Sequence, residues 1–231
     1  MTDSARSIYF AGELFDQKHL TGNVFVAQYI DKVSQGRYRT MLPQNIEVAE
    51  GRTEDIRNND LLHLLLCDVA IFNFDGLELD SGTVVEFMMA KMLDVPCVCL
   101  RSDFRSSGDQ LVNQSGVDTS GQADPWNLMC SFYPRSISFC YNSMQWYHEA
   151  GGGNGSTDFV EPLYTRIANA LIENLDKAVA LPSLAGSDLE KIEMIYRWAM
   201  KYPGPTFEKL CEDKINLPTL IEQKLAKGVL G

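Results

Sequence analysis

Positive charge is scarce in this sequence. The 231 residues carry 20 Lys and Arg against 31 Asp and Glu, a formal net charge of −11, and the pI is near 4.7. That balance argues against a nucleic-acid polymer as partner, because phosphate contacts need a basic face. A small, weakly charged substrate is compatible with it. Long apolar runs are also missing. The longest, residues 61–74, is interrupted by His63, Cys67-Asp68 and Asn73, short of the roughly 18 apolar residues a membrane span needs. The start, MTDSARSIYF, has neither the basic end nor the apolar middle of a secretory signal. Cys67, Cys97, Cys99 and Cys140 stand inside apolar, strand-like runs, which reads as buried, reduced thiols and a cytoplasmic protein.

Recognition motifs are absent as well. The turn after the first expected strand holds one glycine, Gly12, so it is no dinucleotide fingerprint. No Walker A sequence and no G-x-S-x-G elbow occur. Cys97-x-Cys99 would put two thiols on one strand face, but no His or second Cys pair accompanies them, so no metal is expected. Of only three His, His63 lies in an apolar helical stretch, while His19 and His148 stand alone. The run Gly151-Gly152-Gly153-Asn154-Gly155 lacks phosphate-loop spacing and reads as a loop. No cofactor is expected.

What is present is an alternation of strand and helix patterns. Strands are expected over residues 7–11, 38–42, 68–74, 95–100 and 136–141. Helices are expected over 18–34, 54–66, 82–93 and 158–180. Apolar strands separated by helices imply a parallel sheet covered on both faces, and right-handed crossovers make it doubly wound. The expected class is therefore α/β, a flavodoxin-like five-stranded parallel sheet. The polar stretch 101–134, with Gly108, Gly116, Gly121 and Pro125, is a long loop of the functional kind. Residues 1–180 form the expected catalytic domain and 181–231 a helical C-terminal extension. In that extension Ser187-Asp188-Leu189-Glu190 has the form of a capping box. The first helix stops before Pro203-Gly204, Pro205 and Pro218 begin two short ones, and Gly228 ends the last.

The acids point to chemistry. In an open α/β sheet, ligands bind at the carboxyl ends of strands. Phe74 to Ala90 spans the exit of strand three and the following helix. Asp80 or Ser81 can cap that helix, and Gly82 lets backbone approach a ligand. Glu86 lies near the helix start, where the positive end favours an ionised carboxylate by roughly 0.3–1 kcal/mol. On spacing alone, Glu86 fits equally the solvent face of an amphipathic helix. Asp68 opens strand three and could be a turn residue. With Asp80 and Glu86 it also gives three acids around one strand, the set that glycosyl transfer uses: one carboxylate attacks the anomeric carbon, and another group handles the leaving group's proton.

Six segments occurring in order then resemble the nucleoside 2-deoxyribosyltransferases, closest to their protozoan purine-type branch. They are Ile8-Tyr9-Phe10-Ala11-Gly12-Glu13-Leu14-Phe15, Leu42-Pro43-Gln44-Asn45, Asp55-Ile56-Arg57-Asn58-Asn59-Asp60, Cys67-Asp68-Val69-Ala70, Asp80-Ser81-Gly82-Thr83-Val84-Val85-Glu86 and Asn127-Leu128-Met129. The resemblance implies an enzyme moving 2-deoxyribose between purine, and also pyrimidine, bases by a retaining ping-pong route, with side hydrolysis. Its partners would be deoxynucleosides and free nucleobases. Glu86 would be the nucleophile and Tyr9 would position it. Asp80 would hold sugar hydroxyls, and Asp68 would relay the proton of the base. Gly12, Phe15, Gln44, Asn45 and Gly82 would line the pocket. Asn127 would come from a neighbouring subunit, which implies a homo-oligomer. The rivals are a deoxynucleoside 5′-monophosphate N-glycosidase, with Arg101, Arg105 and Arg135 as candidate phosphate ligands, and a non-catalytic nucleotide-sensing module.

Overall fold

The fold was described from a computed structural model covering residues 5–46, 53–103, 124 and 126–231. The central part of the expected long loop, 104–123 with Pro125, lies outside these residues, as does the start of the chain.

Five strands form the sheet: β1 (Arg6–Ala11), β2 (Tyr38–Met41), β3 (Val69–Asn73), β4 (Cys97–Arg101) and β5 (Ser136–Cys140). Their spatial order is β2-β1-β3-β4-β5 and every pairing is parallel. This is the expected doubly wound, flavodoxin-like sheet. The strand order reverses between β1 and β3, whose register pairs Tyr9 with Ala70 and Ala11 with Phe72. The three central strands are buried almost throughout, which is why they read as continuous apolar runs. The edge strand β5 is only half-buried. Cys140 on it is exposed, contrary to expectation, while the other five thiols are buried and free.

Among the described residues eight α-helices surround the sheet. They are α1 (Gln17–Val33), α2 (Thr53–Leu66), α3 (Ser81–Met92), α4 (Ser143–Glu149), α5 (Val160–Ala180), α6 (Leu189–Lys201), α7 (Pro205–Lys214) and α8 (Leu217–Ala226). Side-chain caps start most of them: Asp16 accepts from the amides of Lys18 and His19, Asp80 from Thr83, and Asn216 from Thr219. Such caps are worth about 1 kcal/mol each. In α6 the cap is Asp188, accepting from Lys191 N, one residue later than the capping-box reading at Ser187. The helix α4 was not expected. The glycine run after it folds around Tyr147, whose hydroxyl accepts from Gly153 N at 2.9 Å. A Cβ on Gly152 would lie 2.4 Å from the Tyr147 ring, so that turn needs glycine.

Each sheet face has its own core. Ile8, Phe10, Ile71, Val98 and Leu100 pack against α1 and α5. Tyr9, Ala11, Ala70, Phe72, Cys97 and Cys99 pack against α2 and α3. Residues 181–231 add α6, α7 and α8 to this second core through Ile192, Tyr196, Phe207, Leu217 and Ile221. Buried polar contacts fasten them. Asp94 Oδ2 takes Arg135 Nη1 at 3.3 Å, Ser183 Oγ at 2.8 Å and Leu184 N at 2.8 Å. The fully buried Lys224 donates to the Cys67 carbonyl.

Candidate active site

The carboxyl ends of β1 and β3 make the crevice. Gly12, just past β1, sits so close to β3 that a Cβ there would be 2.9 Å from Asn73 Cβ. The loop leaving β3 is held from below. Asp75 accepts from Ser102 N at 2.5 Å, Ser102 Oγ at 2.7 Å and Asp103 N at 2.8 Å. Arg101 Nη2 donates to Gly76 O at 2.7 Å. Asp80 then caps α3, accepting from Thr83 N at 2.7 Å and Thr83 Oγ1 at 2.9 Å. These contacts fix the helix that carries Glu86.

Glu86 lies in the second turn of α3 and turns toward β1. The buried Tyr9 donates its hydroxyl proton to Glu86 Oε1 at 2.6 Å. The rings of Phe72, Phe74 and Phe87 pack edge-on in the same core as Tyr9. Burial pushes the Glu86 carboxyl from its ordinary 4.5 up to about 7. The Tyr9 hydrogen bond opposes that rise, while the charges of Asp60 and Asp80 add to it. The helix-end effect expected from sequence is too small to compete: roughly 0.3–1 kcal/mol is less than one pH unit. The Tyr9 phenol is itself held well above its ordinary value, by burial first and then by the Glu86 charge. It therefore remains a proton donor.

The raised Glu86 value has a measurable consequence. The folded chain keeps this proton to about pH 7, whereas the unfolded chain releases it near 4.5. Folding therefore binds a proton between those limits, and stability falls as pH rises through them. Glu86→Gln is expected to raise the thermal midpoint above pH 7 and to leave it little changed near pH 4. An equal gain at both pH values would contradict the burial account.

The structure brings Tyr9, Asp80 and Glu86 together, and it adds Asp60, which was not among the candidates. Asp60 comes from α2, its carboxyl is raised by burial, and its charge acts on both Tyr9 and Glu86. Its one sequence signal was its place in the Asn58-Asn59-Asp60 segment. Asp68 is elsewhere. It precedes β3 at the amino edge of the sheet, 3% exposed. There it accepts from Ser7 N at 2.8 Å and Ser7 Oγ at 3.0 Å and pairs with Lys227 of the extension at 2.7 Å. Asp68 is thus held by Ser7 and Lys227, and the acids whose charges act on Glu86 are Asp60 and Asp80.

The remaining candidates lie on the loops and turns after the strands. Phe15 is 77% exposed on the loop after β1. Gln44, in a 3₁₀ turn (Pro43–Asn45), donates to Leu20 O at 2.9 Å and ties that turn to α1; Asn45 beside it is exposed. Gly82 is exposed, and a Cβ on it would crowd Asp80 Oδ2 at 3.1 Å. Asn127 caps a second 3₁₀ turn (Leu128–Cys130) by accepting from Met129 N. It lines an open cleft of about 690 Å³ with Ser81, Val84 and Val85, on the flank of α3 turned away from Glu86. Within one chain, Asn127 is not brought to the carboxylate.

His19 lies 3.3 Å from Glu13 and 3.2 Å from Asp16, and His63 Nδ1 lies 2.7 Å from Asn59 O. Among the described residues no three His, Cys, Asp or Glu side chains converge as metal ligands, and no helix is long and apolar enough to cross a membrane.

Comparison with known proteins fits this geometry. The family model described as nucleoside 2-deoxyribosyltransferase matches residues 8–129, a span that runs from Tyr9 through Glu86 to Asn127. No curated protein sequence matches the chain significantly. Similar solved structures include a conserved protein from Enterococcus faecalis V583, 19% identical, covering 75% of this chain and 98% of its own, with a TM-score of 0.46. Another is a 2-deoxyribosyltransferase from Bacillus psychrosaccharolyticus, 18% identical, covering 67% and 95%, with a TM-score of 0.40. A third is a 2-deoxyribosyltransferase from Leishmania mexicana, 19% identical, covering 62% and 97%, with a TM-score of 0.42.

Proposed function

The chain belongs to the nucleoside 2-deoxyribosyltransferase family, and from that premise we propose that it moves 2-deoxyribose between purine bases through a covalent intermediate on Glu86. The observation that carries this reading is the Tyr9–Glu86 contact of 2.6 Å, beside the switch point of the sheet. A nucleophilic carboxylate must be anionic, near the sugar and held in one orientation. Tyr9 supplies the last of these.

In the forward half-reaction, ionised Glu86 attacks C1′ of a 2′-deoxynucleoside. The C1′–N bond breaks, and its electron pair leaves with the base. The base must gain a proton, a role assigned in this reading to Asp60, whose carboxyl is raised by burial. A second base then attacks C1′ from the vacated face, loses its proton to the same carboxylate and restores Glu86. Two inversions retain the sugar configuration. Water in place of the second base gives free deoxyribose. Asp80 holds the sugar while capping α3.

Asn127 enters this reading through a second copy of the chain. Leu77, Val85, Met88, Leu128, Met129 and Phe132, on α3 and the segments beside it, are 40–84% exposed. Exposed apolar groups of this kind suit a partner surface, so we infer a homo-oligomer in which Asn127 completes a neighbour's site.

A 5′-monophosphate glycosidase fits less well. The charges acting on Glu86 are acids, and two of the candidate phosphate ligands are committed elsewhere: Arg101 to Phe74 O and Gly76 O, and Arg135 to Asp94. The deciding experiment is base exchange between deoxyinosine and adenine, with free sugar measured in parallel. Deoxyadenosine forming faster than free deoxyribose is expected. Release of sugar alone would make the chain a hydrolase, and exchange confined to pyrimidines would overturn the purine assignment.

A further inference from the structure

Glu86 rides on α3 and Asp60 on α2, and these two helices pack side by side. Each is backed by a helix of the C-terminal extension. Helix α6 lies against α3, α7 lies against α2, and α6 and α7 pack on one another. Tyr196 of α6 and Phe207 of α7 are buried in the core that also holds Leu61 and Leu65 of α2 and Phe87 of α3. The extension is therefore the back wall of the two helices that carry the acids.

The polar join between α7 and α2 turns on one hydroxyl. Thr206, in the first turn of α7, donates to the Glu54 carboxylate and accepts from Asn58 Nδ2 at 3.3 Å. Asn58 is 2% exposed, and its Oδ1 takes Arg57 Nη2 at 2.7 Å. Glu54 and Asn58 are four residues apart and share one side of α2. Asp60, two residues beyond Asn58, projects about 200° further round the helix, and its charge reaches Tyr9 and Glu86. Helix α2 is thus gripped on one side and carries Asp60 on the other. Asp60 has no grip of its own. Burial and the charge of His63 act on its carboxyl, with no hydrogen bond from another group among the described residues. Its distance from Glu86 is therefore set by where α2 sits.

We propose that the extension is a working part of the site and that Thr206 is a positioning residue: through Glu54 and Asn58 it holds α2 where Asp60 and Glu86 act on one substrate. This role presupposes the proposed function, in which Glu86 attacks and Asp60 supplies the proton. Apolar contact is non-directional, so the packing of Phe207 alone leaves α2 free to slide. A hydrogen-bonded hydroxyl has a direction, and this one is bonded to two side chains a full turn apart. Its loss would leave the buried Asn58 amide without an acceptor. A misplacement of about 1 Å can cost roughly 10²-fold in rate, so a small slide of α2 is felt in catalysis.

Thr206→Val and Thr206→Ser, compared in the full chain, test the proposal. Thr206→Val is expected to lower kcat for base exchange about tenfold, with KM changed less, because proton transfer belongs to the transition state and not to substrate binding. The titration of Glu86, followed by carboxyl-carbon NMR, should move to lower pH. Its carboxyl answers to Tyr9 on β1, Asp80 at the start of α3 and Asp60 on α2, and the Asp60 charge helps to hold it up. Thr206→Ser keeps the hydroxyl and should restore both readings. Ser183→Ala is the control for a loosened extension. It removes a contact with Asp94 at a different join and should lower the thermal midpoint while the Glu86 titration stays in place. A wild-type kcat and titration in Thr206→Val would overturn the positioning role and leave the extension as a fastening alone. An equal shift of the titration in Ser183→Ala would overturn it too. Wild type without base exchange would instead sink the proposed function, and the Glu86 titration would still decide whether Thr206 sets the place of α2.

Discussion

Glu86→Ala is expected to lower base exchange by at least about 10⁴-fold, the scale on which removal of a covalent nucleophile acts. Wild type incubated briefly with a 2-fluoro-2-deoxynucleoside should gain the mass of the fluorinated sugar, and the variant should gain nothing. The expectation rests on geometry more than on residue type. Asp60 and Asp80 are also acids close to the crevice, yet Asp80 spends its carboxylate on Thr83 as a helix cap, and Asp60 receives no Tyr9 hydroxyl. An adduct that persists in Glu86→Ala would move the nucleophile to one of them. The pH profile supplies an independent handle. With the Glu86 carboxyl at about 7, the reactive anion is the minor form in mild acid and the major form above neutrality. The acid limb of exchange should therefore bend near pH 7 rather than near the ordinary carboxylate value.

Arg135→Met is expected to destabilise the fold by about 3–5 kcal/mol, the cost of leaving one partner of a buried ion pair alone. The side chains of Arg135 and Asp94 are only 2% and 6% exposed, so neither charge can turn to water. The loss should also loosen the extension, since the same Asp94 oxygen receives Ser183 Oγ and Leu184 N. Urea unfolding measures the loss, and limited proteolysis should cut first between α5 and α6. Wild-type stability in this variant would show that the ion pair is dispensable and that apolar packing alone holds residues 181–231.

Much of this was legible in the sequence. The runs at β1, β3 and β4 read as strands because both sheet faces are covered, which removes the need for polar alternation. Helix starts were marked by short polar side chains that accept backbone amides, and Pro205 and Pro218 marked α7 and α8. Helix α4 escaped because none of its seven residues is buried. It therefore imprints no apolar stripe on its sequence.

The site divides in the same way. The sequence by itself determined the sheet and its helices, since these are set by local pattern, and it singled out Glu86 with its neighbours Asp80 and Gly82 as candidates by motif. Only the tertiary structure decided which other acids act on Glu86. Asp68 stands beside the motif strand in sequence, but at about 3.3 Å per residue a strand of this length separates its two ends by roughly 15 Å, and the far end belongs to Ser7 and Lys227. Asp60 lies on another helix and comes close only when α2 packs beside α3. The raised carboxyl of Glu86 is likewise a product of folding, because burial acts on a side chain only once Tyr9 and the surrounding residues have closed around it.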